Sequence, residues 1–143
     1  MVKTCLLDTG PIVAFLDVDD LFHEFVFKRL QRFHGEWVTT NAIISEAMYF
    51  ARNMRRGPAE VARFVKMSRL RVFDSCQVPQ LEAAAHLMKK YANISMDFAD
   101  ATLVYLADRT KCYDLLTLDR RDFSVYRTES GAHFNLVLGE TGD

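Results

Sequence analysis

At 143 residues the chain suits one compact domain better than two, and with half of its residues apolar and 12% aromatic it has material for a substantial core. Eighteen Lys and Arg against nineteen Asp and Glu leave a formal charge of −1, which excludes a uniformly basic nucleic-acid binder and argues against a disordered acidic chain. Cys5, Cys76 and Cys112 are too scattered for a zinc site or a disulfide framework. No apolar run approaches the ~20 residues of a membrane span, and Asp8 interrupts the one early candidate for a signal segment. A soluble, cytoplasmic protein is expected, with no membrane partner.

Residues 2–7 form a short apolar run closed by Asp8-Thr9-Gly10-Pro11. This predicts a buried strand ending in a loop, with Pro11 in the first turn of a brief helix that reaches Leu16. Asp19 or Asp20 is placed to cap a longer helix to about residue 33, with Leu21, Phe22, Phe25, Val26 and Leu30 on one stripe, and His34-Gly35 ends it. Glu36–Thr40 reads as a second strand. Thr40 or Asn41 caps a helix over residues 42–54, which Gly57-Pro58 stops. Helices over 59–67, 80–91 and 96–111, the last capped by Ser95, alternate with strands over 70–73 and 114–118, and residues 134–138 suit an edge strand. The alternation, with connections long enough for right-handed crossovers, predicts an α/β architecture around a parallel sheet.

Open parallel sheets bind ligands beyond the carboxyl ends of their strands. Asp8 follows the first predicted strand and Asp119 the fourth, so the two can converge although they lie far apart in sequence. Glu46 falls about one turn into a helix, among Ile43, Ile44, Ala47 and Phe50. A carboxylate on the inward edge of such a helix needs a charge partner or a metal. Asp97 and Asp100 stand three residues apart at a helix start, on neighbouring faces, where the helix dipole favours acids. That alone is enough to explain Asp97, whereas Asp100, followed by Ala101, Leu103, Val104 and Leu106, is close to the apolar side. Three or four inward carboxylates without an equal set of bases repel one another. Hard divalent cations relieve this, and Mg²⁺ favours oxygen ligands while keeping waters. Such a cluster suits phosphoryl transfer, in which metal polarises phosphate and activates water.

The segments Leu6-Leu7-Asp8-Thr9-Gly10-Pro11, Ser45-Glu46, Phe98-Ala99-Asp100-Ala101 and Leu116-Thr117-Leu118-Asp119-Arg120-Arg121-Asp122-Phe123 resemble, in order and spacing, the acidic motifs of PIN domains, most closely VapC-type toxins. The resemblance covers essentially the whole chain. It implies a Rossmann-like three-layer α/β/α sandwich, with residues 1–138 as a single PIN-like nuclease domain and 139–143 as a flexible tail. It also implies an Mg²⁺- or Mn²⁺-dependent endoribonuclease in which Asp8, Glu46, Asp100 and Asp119 are catalytic metal ligands and Asp97 assists. Thr9 and Thr117 are expected to orient a ligating carboxylate or water, and Asp122 to brace the site. An RNA substrate, a cognate antitoxin and a homodimer are the implied partners. A processing nuclease without antitoxin, or an inactive PIN-like RNA-binding module, are the alternatives.

Arg52, Arg55, Arg56, Arg63, Lys66, Arg69 and Arg71 face only Glu60 as an opposing charge over their segment. They read either as a phosphate-attracting surface, with Arg120 and Arg121 nearer the acids, or as a solvated helix face. Phe50 or Phe64 could support self-pairing, although core packing is the simpler reading. The histidines show no metal-ligand spacing, Ser45 is in no nucleophile elbow, and Gly10-Pro11 begins no P-loop.

Overall fold

A strand apolar along its length needs cover on both faces, and Cys5, Leu6 and Leu7 receive it, each at most 2% exposed in the computed structural model, which describes residues 3–137. This strand, β1 (Thr4–Leu7), is the middle of five parallel strands. β2 (Glu36–Thr40) and β3 (Arg71–Phe73) extend the sheet on one side, and β4 (Asp114–Leu116) and β5 (Asn135–Leu136) on the other. Between β1 and β2 run α1 (Thr9–Leu16) and α2 (His23–Arg32), and between β2 and β3 run α3 (Asn41–Ala51) and α4 (Gly57–Ser68). α5 (Val78–Lys90) and α6 (Phe98–Thr110) lead to β4, which a short α7 (Arg120–Phe123) follows.

Right-handed crossovers place α1 to α4 on one face of the sheet. The chain then reverses direction across the sheet after β3, which puts α5 and α6 on the opposite face. The expected three-layer α/β/α sandwich results, and its switch point lies between β1 and β4. Ile12, Ile43, Ala47, Leu103, Val104, Leu115 and Leu116 are fully buried against the sheet layers. No helix of the described residues is long and apolar enough to cross a membrane.

Several element ends differ from the sequence reading, each for a local reason. The second helix starts at His23, because Asp20 spends its side chain on a turn, accepting from the Phe22 backbone at 2.8 Å. Its expected stripe is not the packed face: Val26 is buried and Leu30 partly so, while Leu21, Phe22 and Phe25 are exposed. α3 is capped by Thr40, whose hydroxyl accepts from Ile43 N, and stops at Ala51, three residues early. Ser95 does not cap α6. It adopts a left-handed conformation at the end of a 3-10 turn, and Asp97 is the cap. β4 stops at Leu116, so two residues separate it from Asp119, and α7 was not foreseen. The edge strand is shorter than expected; position 138 and the tail at 139–143 lie outside the described residues. Phe64 is core, as the simpler reading holds, but Phe50 is 54% exposed.

The early stop of α3 depends on Gly57. A Cβ there would lie 1.8 Å from the Ala51 carbonyl oxygen, a backbone atom that cannot swing away. Arg56, in a left-handed conformation, completes the reversal into α4. Gly57→Ala should therefore lower unfolding free energy by about 1–3 kcal/mol, read as a fall in the urea midpoint at unchanged m-value.

Candidate active site

The register of the sheet builds the site. Leu7 pairs with Leu116, so the next residues along, Asp8 and Thr117, stand side by side where the two strands end. Asp8 N donates to the Leu116 carbonyl at 3.0 Å, continuing the ladder by one bond. On the other side Thr39 donates its hydroxyl to the Leu7 carbonyl at 2.7 Å, and Thr40 starts α3 at the same level, carrying Glu46. α6 arrives from the opposite layer with Asp97 and Asp100 in its cap and first turn. Thr40 and Thr102 join α3 and α6 through a buried hydroxyl pair at 2.8 Å.

These elements frame one open cleft of about 840 Å³ at the carboxyl ends of the strands. Asp8, Glu46, Asp97, Asp100, Asp119 and Asp122 all line it, as does Thr9. Asp17 and Asp20, the latter expected only as a helix cap, line it too. Among the described residues, no Lys, Arg or His does. A separate groove of about 570 Å³ between α2 and α4 is lined mainly by apolar side chains, Phe15, Phe27, Trp37 and Phe64 among them, with Glu60 and Arg63 as its charged residues among those described.

Asp8 is the most constrained acid. Its Oδ2 accepts from the Thr117 hydroxyl at 2.7 Å and its Oδ1 from Thr9 N at 2.8 Å, where it caps α1. Thr117 Oγ1 in turn accepts from Asp119 N at 2.9 Å, so one hydroxyl ties the two strand-end acids together. Asp119 caps α7 by accepting from Asp122 N at 3.2 Å. Asp122 thus braces Asp119 through its backbone. Asp97 Oδ1 accepts from Asp100 N at 2.8 Å, which fixes the start of α6. Asp100 Oδ2 accepts from the hydroxyl of Tyr126, a fully buried ring from the segment after α7. Nothing in the sequence marked Tyr126, because only folding brings it to Asp100.

The acids carry the electrostatic cost of this convergence. Burial pushes Asp8 up to about 6, with Glu46 and Asp119 adding to the rise and the Thr117 and Thr9 hydrogen bonds opposing it. Burial, then Asp97 and Asp8, push Asp100 up to about 8, against the Tyr126 hydroxyl. Glu46 and Asp119 are also raised, burial being the first cause in both. Burial and Asp100 hold the Tyr126 hydroxyl protonated, so it remains a donor.

The donor set fits a hard divalent cation by its chemistry: clustered carboxylate oxygens, no competing base, and charges that a cation would relieve. Thr9 Oγ1 adds a buried oxygen to which no hydrogen bond of ordinary length reaches, although the hydroxyl is near enough to Glu46 to oppose the rise in its pKa. Among the described residues, no three His, Cys, Asp or Glu side chains stand close enough together to enclose an ion as they are placed. The arrangement is an open acidic cleft and not a closed protein cage.

The basic residues do not form one surface. Arg52 folds over the Tyr49 ring at 3.7 Å, Arg71 pairs with Glu36 at 2.8 Å, and Arg63 lines the apolar groove. Arg55, Arg56, Arg120 and Arg121 are exposed and outside the cleft lining.

The family pattern of the PIN domain matches residues 5–128 of the chain. Over 133 residues the chain is 28% identical to ribonuclease VapC26 of Mycobacterium tuberculosis, spanning 92% of this chain and 98% of that protein. VapC20 of the same organism, a sarcin–ricin loop cleaving toxin, shares the fold with a TM-score of 0.74 at 17% identity, over 82% of this chain and 91% of that one. A chain of VapBC2 from Rickettsia felis, solved on a DNA fragment from their promoter, shares it with a TM-score of 0.57 at 12% identity, over 85% and 91%. The matched segment runs from β1 to beyond α7 and contains every acid of the cleft, and the chain belongs to the PIN domain family.

Proposed function

We propose that this chain is a metal-dependent endoribonuclease that hydrolyses RNA phosphodiesters, with Asp8, Glu46, Asp100 and Asp119 holding Mg²⁺ or Mn²⁺, and that it serves as the toxin of a toxin–antitoxin pair. The observation that carries the reading is the cleft itself: acids from four separate chain segments line one opening to which the described residues contribute no base. The likeness to ribonuclease VapC26 over nearly the whole of both chains supports the substrate class, and the VapBC2 likeness supports an antitoxin partner.

When bound, the metal would neutralise charge on the phosphodiester and lower the pKa of water at the site. The chain's own residues supply orientation. Each Asp8 oxygen already accepts one hydrogen bond, which leaves its remaining lone pairs aimed in fixed directions. Tyr126 does the same for one oxygen of Asp100. Asp97 has one oxygen committed to the cap, so we assign it to holding Asp100 in place at the edge of the cleft. Phosphate contacts fall to exposed cations around the rim, with Arg52, Arg55, Arg56, Arg120 and Arg121 as the candidates.

Mapping cleavage ends on total RNA with Mn²⁺ tests this directly. Asp100→Asn should reduce cleavage by at least about a hundredfold while its circular dichroism spectrum is unchanged; retained cleavage in the purified variant would remove Asp100 from the site.

The raised carboxyls also set a pH dependence. Both Asp8 and Asp100 titrate from an ordinary value of 3.8 up to about 6 and about 8 on folding, so the metal-free folded protein holds protons that the unfolded chain releases. Their contribution to stability is complete below pH 3.8 and is lost as pH rises from there to about 6 for Asp8 and to about 8 for Asp100. The melting temperature of metal-free protein should fall across that interval, and Asp100→Asn should flatten the upper part of the fall. Mg²⁺ or Mn²⁺ should raise the melting temperature more at the alkaline end than at the acid end, and a flat metal-free profile in differential scanning fluorimetry would contradict the burial argument.

A further inference from the structure

We infer that Tyr126 determines which cation the cleft prefers. Its hydroxyl holds Asp100 Oδ2 against the protein, so that the carboxylate meets a cation with its other oxygen alone, which suits small octahedral ions such as Mg²⁺ and Mn²⁺ over Ca²⁺. The inference rests on the metal-dependent reading of the cleft and adds to it a selectivity-determining residue outside the acid set. The hydroxyl donates to Oδ2 at 3.1 Å, and among the described residues this is the one hydrogen bond that the Asp100 carboxylate receives. Asp100 lines the cleft, whereas the Tyr126 ring is fully buried and reaches it from beneath.

The hydroxyl has no room to move aside. Tyr91 and Phe123 hold the Tyr126 ring edge to face, each with its centroid 5.1 Å away. The Tyr91 hydroxyl accepts from Arg127 N at 2.8 Å, which ties the end of α5 to the residue next to Tyr126. Tyr126 N donates to the Asp122 carbonyl at 3.1 Å, and Asp122 N donates to Asp119, so one turn braces two acids of the cleft. Arg127 Nη1 closes that turn by donating to the carbonyls of Ser124, Val125 and Tyr126. On the other side Asp97 accepts from Asp100 N at 2.8 Å. With its backbone and one oxygen both fixed, the Asp100 carboxylate is not free to turn and offer two oxygens to one ion.

That restriction discriminates between cations. Ca²⁺ takes roughly six to eight oxygens in a flexible shell and accepts carboxylates that give both, whereas Mg²⁺ demands near-ideal octahedral geometry and keeps waters. Mn²⁺ shares the octahedral oxygen preference of Mg²⁺. A partner that orients a ligating carboxylate is itself worth affinity for the metal. Core packing would be served equally by phenylalanine, whose ring fills the same space. The hydroxyl adds the bond to Asp100.

The test uses metal-free protein and needs no RNA. Mn²⁺ binding is read from the paramagnetic resonance of the free ion, and Ca²⁺ binding by competition against bound Mn²⁺. Tyr126→Phe should weaken Mn²⁺ binding by about tenfold to a hundredfold and Ca²⁺ binding by less, so the preference for Mn²⁺ shrinks. Combined with Asp100→Ala, the same change should cost nothing further, because Tyr126 acts through that carboxylate. Tyr91→Phe leaves Tyr126 in place but frees its turn, and should shift the preference the same way by a smaller factor. An unchanged preference in Tyr126→Phe overturns the inference; if circular dichroism shows that variant unfolded, an unchanged preference in Tyr91→Phe does so. Equal weakening of both ions also overturns it, as does an effect that persists in full beside Asp100→Ala, since either marks a merely structural loss. Wild type that binds Mn²⁺ no better than Asp100→Ala overturns the metal reading of the cleft as well.

Discussion

A carboxylate as deeply buried as Asp8 must have its oxygens hydrogen-bonded, and its main partner, the Thr117 hydroxyl, sits on the neighbouring strand because Leu7 pairs with Leu116. The same hydroxyl accepts from Asp119 N, so the register of two central strands sets the separation of two acids. A slip of one residue would turn these side chains to the other face of the sheet and dissolve the arrangement. The full burial of Leu6, Leu7, Leu115 and Leu116 opposes that slip, because it would exchange which face of each strand meets which helical layer. The apolar core thus holds the polar site in register.

Around that fixed pair the other acids arrive on helices, Glu46 midway along α3 and Asp97 and Asp100 at the start of α6. Glu46 comes on α3, whose start is fixed by Thr40, and Asp100 on α6, whose start is fixed by Asp97. The start of α6 favours negative charge, which offsets part of the repulsion felt by Asp97 and Asp100. Burial first, and the remaining repulsion after it, leave Asp8 and Asp100 with raised pKa values. The fold tolerates this because the cleft is open to water on one side while β1 and β4 anchor the other. A cleft lined by acids repels a polyanion, so binding must draw on metal, on rim cations and on contacts indifferent to charge.

Periodicity and strand-end punctuation made the alternation of strands and helices, the parallel sheet, and the positions of Asp8 and Asp119 legible in the amino-acid sequence. The motif order did the same for Glu46 and Asp100. Apolar strands and caps are local properties, and Thr40 before α3 is read from its neighbours alone. What the sequence could not decide is pairwise and distant. The exposure of Phe50 and the burial of Phe64 depend on which helix covers each ring, although both sit in similar apolar patterns. Ser95 and Asp97 are both good caps by residue type, and the left-handed turn at Ser95 chose between them. Asp17, Asp20 and Tyr126 joined the cleft only when α1 ended beside it and the segment after α7 packed beneath Asp100. The sequence by itself determined which elements form and which residues could do acid chemistry. Tertiary structure alone decided which of those residues share one volume, because distances across the chain are set by strand register and helix packing and not by spacing along it.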